Sequence, residues 1–334
     1  MMRMTVLASG SKGNSTVISS SRTRVLVDAG LSCRELLKRM AVAGEDPAEL
    51  NAILITHEHQ DHVAGLSVLA RRLNIPVFFT ESTHRAWVRM LTPRSTMTYA
   101  KWLEQVQREK EARAFAIAGA STETATAGCA DDSDAVAELA ELPVDPDEEE
   151  LCGSEAGGIT VKKPDPTRLP AVEYFHSGTQ FSIGDIDITP FTIPHDAADP
   201  CGFVFESEGV RMALATDLGY MPPNVKAALR RVDVLLLESN HDLEMLRDGP
   251  YPWSVKQRVL SRVGHLSNHA TAEFLQKDYD GGATWIVLGH LSESNNAPEL
   301  ARLCAEQALE NRPTLLGNRV VLAHQAMPLD PIVL

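Results

Sequence analysis

The segment Thr56-His57-Glu58-His59-Gln60-Asp61-His62 places four side chains able to ligate a metal within six residues, directly after an apolar run at 52–55. Residues two apart on an extended chain point the same way, so His57 and His59 can share one cation. Asp61 and His62 stand where the chain turns into the next element and can face a second cation beside the first. Imidazole and carboxylate without thiolate suit zinc, manganese or iron rather than calcium. One loop cannot fill two coordination spheres, so further ligands are expected at the ends of later strands. Three residues have that position: His195 in IPHDAADPCGF, Asp217 in ALATDLGY and His290 in VLGHLSESNN. Taken singly, each reads better as a satisfied loop or cap residue. With the first cluster beside them, they read as site residues carried on loops of a rigid scaffold.

Such ligands need strands that deliver them to one place. Short apolar runs ending in Gly, Ser or Asp predict strands at 5–8, 16–19, 24–28, 52–55 and 76–79. Helices are expected at 32–40, with Ser32 as cap, at 63–73 and at 83–91. A further helix is expected at 98–107. Residues 112–167 are rich in Ala, Ser, Thr, Glu, Asp and Pro and poor in aromatics, a composition that buries too little apolar surface to offset ordering. The chain therefore reads as one domain over 1–334 with a low-complexity acidic segment inserted at 98–170, a solvated loop in preference to a docking tail. Beyond it a hairpin at 180–191 turns at Gly184-Asp185. Strands follow at 202–206, 211–215, 234–237 and 285–288, and helices at 224–230, 253–262, 269–276 and 297–311. Strands followed by helices in both halves favour an α/β (α+β) fold with helices outside the sheets.

The net charge of −14 on 334 residues argues at first against a nucleic-acid partner. Twelve carboxylates with no Lys or Arg fall between Ser121 and Gly158, and they account for all but two of those charges. Arg71-Arg72 and Arg230-Arg231 remain available to phosphates. The five cysteines are scattered without a CxxC pair, which excludes a disulfide framework or thiolate zinc site and favours a reducing cytoplasm. Cys201, near a proposed ligand, reads as packing. No apolar run is long enough for a membrane span, and the N-terminus is a poor signal peptide.

The HxHxDH motif followed by a later His, Asp and His resembles the metallo-β-lactamase superfamily, an αββα sandwich with metals at one edge. LASGSKGNST, DAGLS, LLLESNHD, GHLSN and LGHLSESNN are similar to its YycJ/WalJ-type branch, near ribonuclease Z and other phosphodiesterases. The likeness covers 1–91 and 180–321 but not the acidic middle. It implies two divalent ions, zinc or manganese: one on His57, His59 and His195, the other on Asp61, His62 and His290, with Asp217 bridging. A hydroxide shared by the two ions would attack phosphorus. It also implies that His265, in GHLSN, protonates the leaving oxygen and that Glu238 orients His265. Asp61 belongs to this catalytic set. From the residues alone, His265 reads equally as a helix cap, and Glu238 or His241 as part of a structural network. The loop Ser9-Gly10-Ser11…Asn14 either offers N–H groups to a phosphate or is an ordinary turn. Ser11, Asn14 and His241 are the expected substrate contacts.

The branch resemblance implies a phosphodiesterase acting on nucleic acid, an exonuclease-type nuclease. Only 22 positions separate His195 from Asp217, too few for the RNA-clamping arm of many ribonuclease Z enzymes. No large cap domain fits between Asp217 and His290. DNA is therefore favoured over RNA. The alternative is a thioester or lactone hydrolase of the glyoxalase II or lactonase kind, against which the GHLSN and ESNHD segments argue. A regulatory protein with an idle site is a third reading, disfavoured by the intact ligand set. No oligomeric state is implied.

Overall fold

The structure is a computed structural model that describes residues 1–92, 107, 165–310 and 317–334. Two compact units divide the chain, Met1–Leu91 with Asp145–Leu334, and Thr92–Val144. Every element below belongs to the first. The helix expected at 98–107 and the insertion at 98–170 lie outside the described residues, save Gln107 and the stretch from Asp165 onward.

Alternation along each strand decides the layers. In β1 (Arg3–Ala8), Met4 and Val6 face one side while Leu7 faces the other, and all three are buried. A strand buried on both faces needs cover on both, which is why these runs read as continuously apolar. The first sheet adds β2 (Ser15–Ser19), β3 (Arg24–Val27), β4 (Ala52–Leu54), β5 (Val77–Phe79), β6 (Val172–Tyr174) and β14 (Ile332–Val333), in the order β14-β1-β2-β3-β4-β5-β6. The second contains β7 (Phe181–Ile183), β8 (Ile186–Thr192), β9 (Cys201–Ser207), β10 (Val210–Ala215), β11 (Val234–Glu238), β12 (Trp285–Gly289) and β13 (Arg319–Leu322), in the order β13-β12-β11-β10-β9-β8-β7. Each sheet is antiparallel through its early strands and parallel through its later ones.

Met4, Val6, Ile18 and Leu54 of the first sheet pack against Phe203, Phe205, Leu214 and Val287 of the second, so the sheets lie face to face. The opposite face of the first sheet, with Val17, Leu26 and Ile53, is covered by α1 (Cys33–Val42), α3 (Leu66–Leu73) and α4 (Glu81–Leu91). The opposite face of the second, with Ala213, Leu235 and Ile286, is covered by α5 (Pro223–Ala228), α8 (Asn268–Lys277) and α9 (Pro298–Leu309). Burial of each large side chain in these three cores contributes about 1.5–3 kcal/mol. The result is the αββα sandwich that the resemblance implied.

The single helix expected at 63–73 is two. A one-turn α2 (Gln60–Val63) is separated from α3 by Gly65, where a Cβ would stand 2.1 Å from Leu31 O. The helix expected at 253–262 ends earlier, as α7 (Trp253–Val259). The strands β6, β13 and β14 and the helix α6 (Leu243–Asp248) had no counterpart among the expectations. Ser32 caps α1 as expected, its side chain accepting from Glu35 N. The hairpin turns at Gly184-Asp185, with Ile183 paired to Ile186.

Candidate active site

His57 and His59 lie on the loop after β4, and His59 immediately precedes α2, whose first turn carries Asp61 and His62. A Cβ on Gly30 would stand 1.7 Å from Asp61 O, so only glycine lets the segment after β3 press against this loop. From the second sheet, His195 follows β8, Asp217 follows β10, Glu238 ends β11 and His290 follows β12. β8 is antiparallel to β9, and β9 to β10, so β8 runs in the direction of β10, β11 and β12. All four residues therefore emerge at the same edge. Asp28, Asp217 and His290 each have left-handed backbone, with φ of 60°, 63° and 56°. Such conformations are costly for residues with a Cβ and concentrate where a side chain must be aimed.

The side chains converge. His195 Nε2 lies 3.2 Å from His59 Nδ1. His62 Nε2 lies 3.4 Å from Asp217 Oδ2 and 3.5 Å from Asp61 Oδ2. His290 Nε2 lies 3.5 Å from Asp217 Oδ1 and 3.6 Å from Asp61 Oδ2. Ligands about 2.0–2.1 Å from one tetrahedral ion stand roughly 3.3 Å apart, so these separations match what a shared cation would require. Potential donor atoms of His57, His59 and His195 lie within 4.8 Å of one another, and so do those of Asp61, His62 and His290. A third such group, His57, His62 and Asp217, joins the two sets. His57 Nε2, His290 Nε2 and Asp217 Oδ2 are buried without a hydrogen-bond partner among the described residues. Orphaned buried polar atoms are expensive. A cation between them supplies the missing partner, so the residues fit metal.

The outward ring nitrogens are committed. His62 Nδ1 donates to Asp28 Oδ2 at 2.8 Å, His195 Nδ1 to Gly264 O at 3.2 Å, and His59 Nε2 to Asp196 O at 3.2 Å. His57 Nδ1 stands 3.0 Å from the Thr56 hydroxyl, which itself donates to Asp28. These bonds fix tautomers that turn the other nitrogen's lone pair inward. Burial, reinforced by the neighbouring imidazoles, drives the His57 pKa well below its ordinary value. His62 behaves oppositely: burial would lower its pKa, but Asp28, Asp61 and Asp217 together raise it to about 9.

Glu238 is wholly buried. Its Oε2 accepts from the N–H groups of Leu218 at 2.6 Å and Leu266 at 3.2 Å. Burial raises the carboxyl pKa, yet the charges and hydrogen bonds of His265 and His290 outweigh it and hold the group ionised. His265 is bonded through Nδ1 and lines a cavity of about 220 Å³ beside the metal residues, together with Ser11, Asp61, His195, Asp217 and His290.

In the first loop, the N–H groups of Ser9, Gly10, Lys12, Gly13 and Asn14 are all taken by protein acceptors. The loop is thus a turn that supports the site. Ser9 Oγ accepts from His290 N at 2.8 Å, and Asn14 Nδ2 reaches Asp61 Oδ2 at 3.2 Å. Ser11 reaches the cavity, whereas Asn14 and His241 are buried and do not line it. Burial pushes the Cys201 thiol up to about 12, consistent with packing. Sequence reasoning missed Asp28, Asp196 and Arg258. Asp28 had a signal, the DAGLS motif, without a stated role.

The sequence matches the metallo-beta-lactamase superfamily over residues 8–255. It is 31% identical to the exodeoxyribonuclease WalJ of Streptococcus pneumoniae over 301 residues, covering 90% of this chain and 86% of that protein. It is 30% identical to the exodeoxyribonuclease YycJ of Bacillus anthracis over 311 residues, covering 93% and 90%. The crystal structure of the metallo-beta-lactamase fold protein YhfI from Bacillus subtilis superposes with a TM-score of 0.57 at 12% identity, over 99% of this chain and 100% of that one. The chain belongs to the metallo-beta-lactamase superfamily, in the branch of the WalJ and YycJ proteins.

Proposed function

We propose that the chain is a metal-dependent exodeoxyribonuclease. The observation that carries this reading is the convergence of seven ligand-type side chains from both sheets beside a His–Glu pair. His57, His59 and His195 hold one ion, Asp61, His62 and His290 the other, and Asp217 lies between. Nitrogen and carboxylate donors suit zinc or manganese. Two divalent cations so bound lower the pKa of water and stabilise charge on phosphoryl oxygens.

The residues of the chain do the rest. Asp61 and Asp217 supply the carboxylate donors and set the charge of the centre. His265, with Nδ1 held by Glu238, offers Nε2 to the leaving oxygen as a proton donor. Ser11 meets the strand at the cavity. A thioester or lactone needs no such donor, because its leaving group or ring oxygen is handled at the metals. The names of the WalJ and YycJ relatives support DNA as the substrate. The first compact unit is the catalytic domain, with the acidic 98–170 segment as its insertion. Cys201 and Cys304 are free thiols, which fits a reducing cytoplasm. Among the described residues, no helix is long and apolar enough to cross a membrane.

The test is digestion of end-labelled single- and double-stranded DNA, alongside a thioester, with and without chelator. Chelator-sensitive release of nucleotides from an end, abolished in Asp217→Ala, is expected. Thioester hydrolysis without DNA cleavage would overturn the reading. Elemental analysis of the purified protein distinguishes zinc from manganese.

A further inference from the structure

A nucleic acid strand is an anion, yet the cavity that must receive it is walled by Asp61, Asp196 and Asp217. Among the described residues lining it, Arg258 is the one Lys or Arg side chain. Arg258 projects from α7, whose Val255 and Val259 also reach the cavity. Its Nε donates to Asp196 Oδ2, and its side chain is 64% exposed. Its terminal Nη groups have no hydrogen-bond partner among the described residues.

Asp196 is held from several sides. Its N–H donates to Val263 O at 3.1 Å, its carbonyl accepts from His59 Nε2 at 3.2 Å, and its Oδ1 stands 3.4 Å from His195 Nε2. A planar guanidinium pinned by Nε to a fixed carboxylate still presents the edge formed by its two Nη groups. That edge matches the spacing of two oxygens on one phosphate. The arrangement orients a cation that would otherwise wander, at the mouth of a site walled by carboxylates.

We propose that Arg258, oriented by Asp196, binds a backbone phosphate of the DNA strand and holds that strand against the metal residues. This rests on the nuclease reading above. Arg258 then contributes to capture of the strand rather than to the chemical step, and Asp196 is a positioning residue that acts through it.

The test uses the full chain loaded with Mn²⁺, an end-labelled single-stranded oligonucleotide, and the variants Arg258→Ala and Arg258→Lys. Arg258→Ala is expected to raise KM about tenfold or more with kcat changed by less than about threefold, and Arg258→Lys to recover part of the loss. Fluorescence anisotropy of a labelled oligonucleotide on metal-free protein should show weaker binding for Arg258→Ala. The slope of log affinity against log salt should fall by about one. Unchanged oligonucleotide affinity, a fall in kcat at constant KM, or loss of bound metal from Arg258→Ala overturns the proposal. If the wild type cleaves no DNA yet binds the oligonucleotide in an Arg258-dependent way, the nuclease reading fails and the phosphate contact stands.

Discussion

His265 and His290 share one oxygen: Glu238 Oε1 accepts from Nδ1 of the first at 2.8 Å and Nδ1 of the second at 3.0 Å. A single buried carboxylate thus aims both the proposed proton donor and a proposed metal ligand. Glu238→Gln leaves the volume unchanged but removes the charge and one acceptor. Activity should fall about 10–100-fold, as for other groups that orient metal-ligating histidines. The double variant Glu238→Gln/His265→Ala should be little worse than its poorer parent, because the two residues act as a unit. Steady-state kinetics of the four proteins would check this, and full additivity would separate the roles.

Metal uptake should displace protons. The His62 pKa of about 9 means that, in the metal-free protein at neutral pH, this imidazole carries a proton that a cation must remove. Calorimetric titration in two buffers of different ionisation enthalpy should show at least about one proton released per protein near pH 7.5. Affinity should rise with pH up to about 9. Binding without proton release would contradict the assignment of His62 as a ligand. Chelation should also lower the Tm, because cations bound only by the folded chain stabilise it by mass action.

His241 reports on acid stability from outside the ligand set. It is buried, its Nδ1 lies 3.3 Å from Asn240 Oδ1 and its Nε2 has no partner. Burial lowers its pKa to about 4, with Glu238 and Asp242 opposing and His265 assisting. Since the folded value is depressed, the unfolded chain takes up more protons between about pH 6.5 and 4. Stability is therefore complete above that window and lost as pH falls through it. Urea unfolding at about pH 7 and 4.5 should show wild type losing roughly 2 kcal/mol more than His241→Gln. Equal losses in both proteins would exclude His241 as the source.

Gly30→Ala should be far more damaging than its size suggests. The new methyl would meet Asp61 O at 1.7 Å and Asn14 N at 2.6 Å, both backbone atoms with no freedom to swing away. A loss of about 3 kcal/mol or more is expected in urea unfolding. Metal content should drop in whatever protein still folds. Gly178, whose Cβ position is open, supplies the control, although its φ of +82° carries a strain of its own.

The residues that converge at the candidate site were legible because their signal is local. Four donors within six residues, and a polar residue closing each of three buried runs, survive in a one-dimensional reading. Asp28 was not legible in its role, since it precedes His62 by 34 positions and only the parallel pairing of β3 with β4 brings them together. The left-handed backbone of Asp217 and His290 leaves no trace in residue type. Arg258 and Asp196, 62 positions apart, look like ordinary surface charges until α7 is placed. The strands β6, β13 and β14 are edge elements of two to four residues, where alternation has too few residues to register. The six-residue α6, capped by Asp242, fails for the same reason.

The proposed ligands come from both sheets, and the last of them, His290, follows β12. A nascent chain that stops short of β12 holds at most part of the proposed coordination set. Such a fragment carries no cutting activity, however well its first sheet has formed. The capacity to cut thus arrives only once β12 has joined the second sheet.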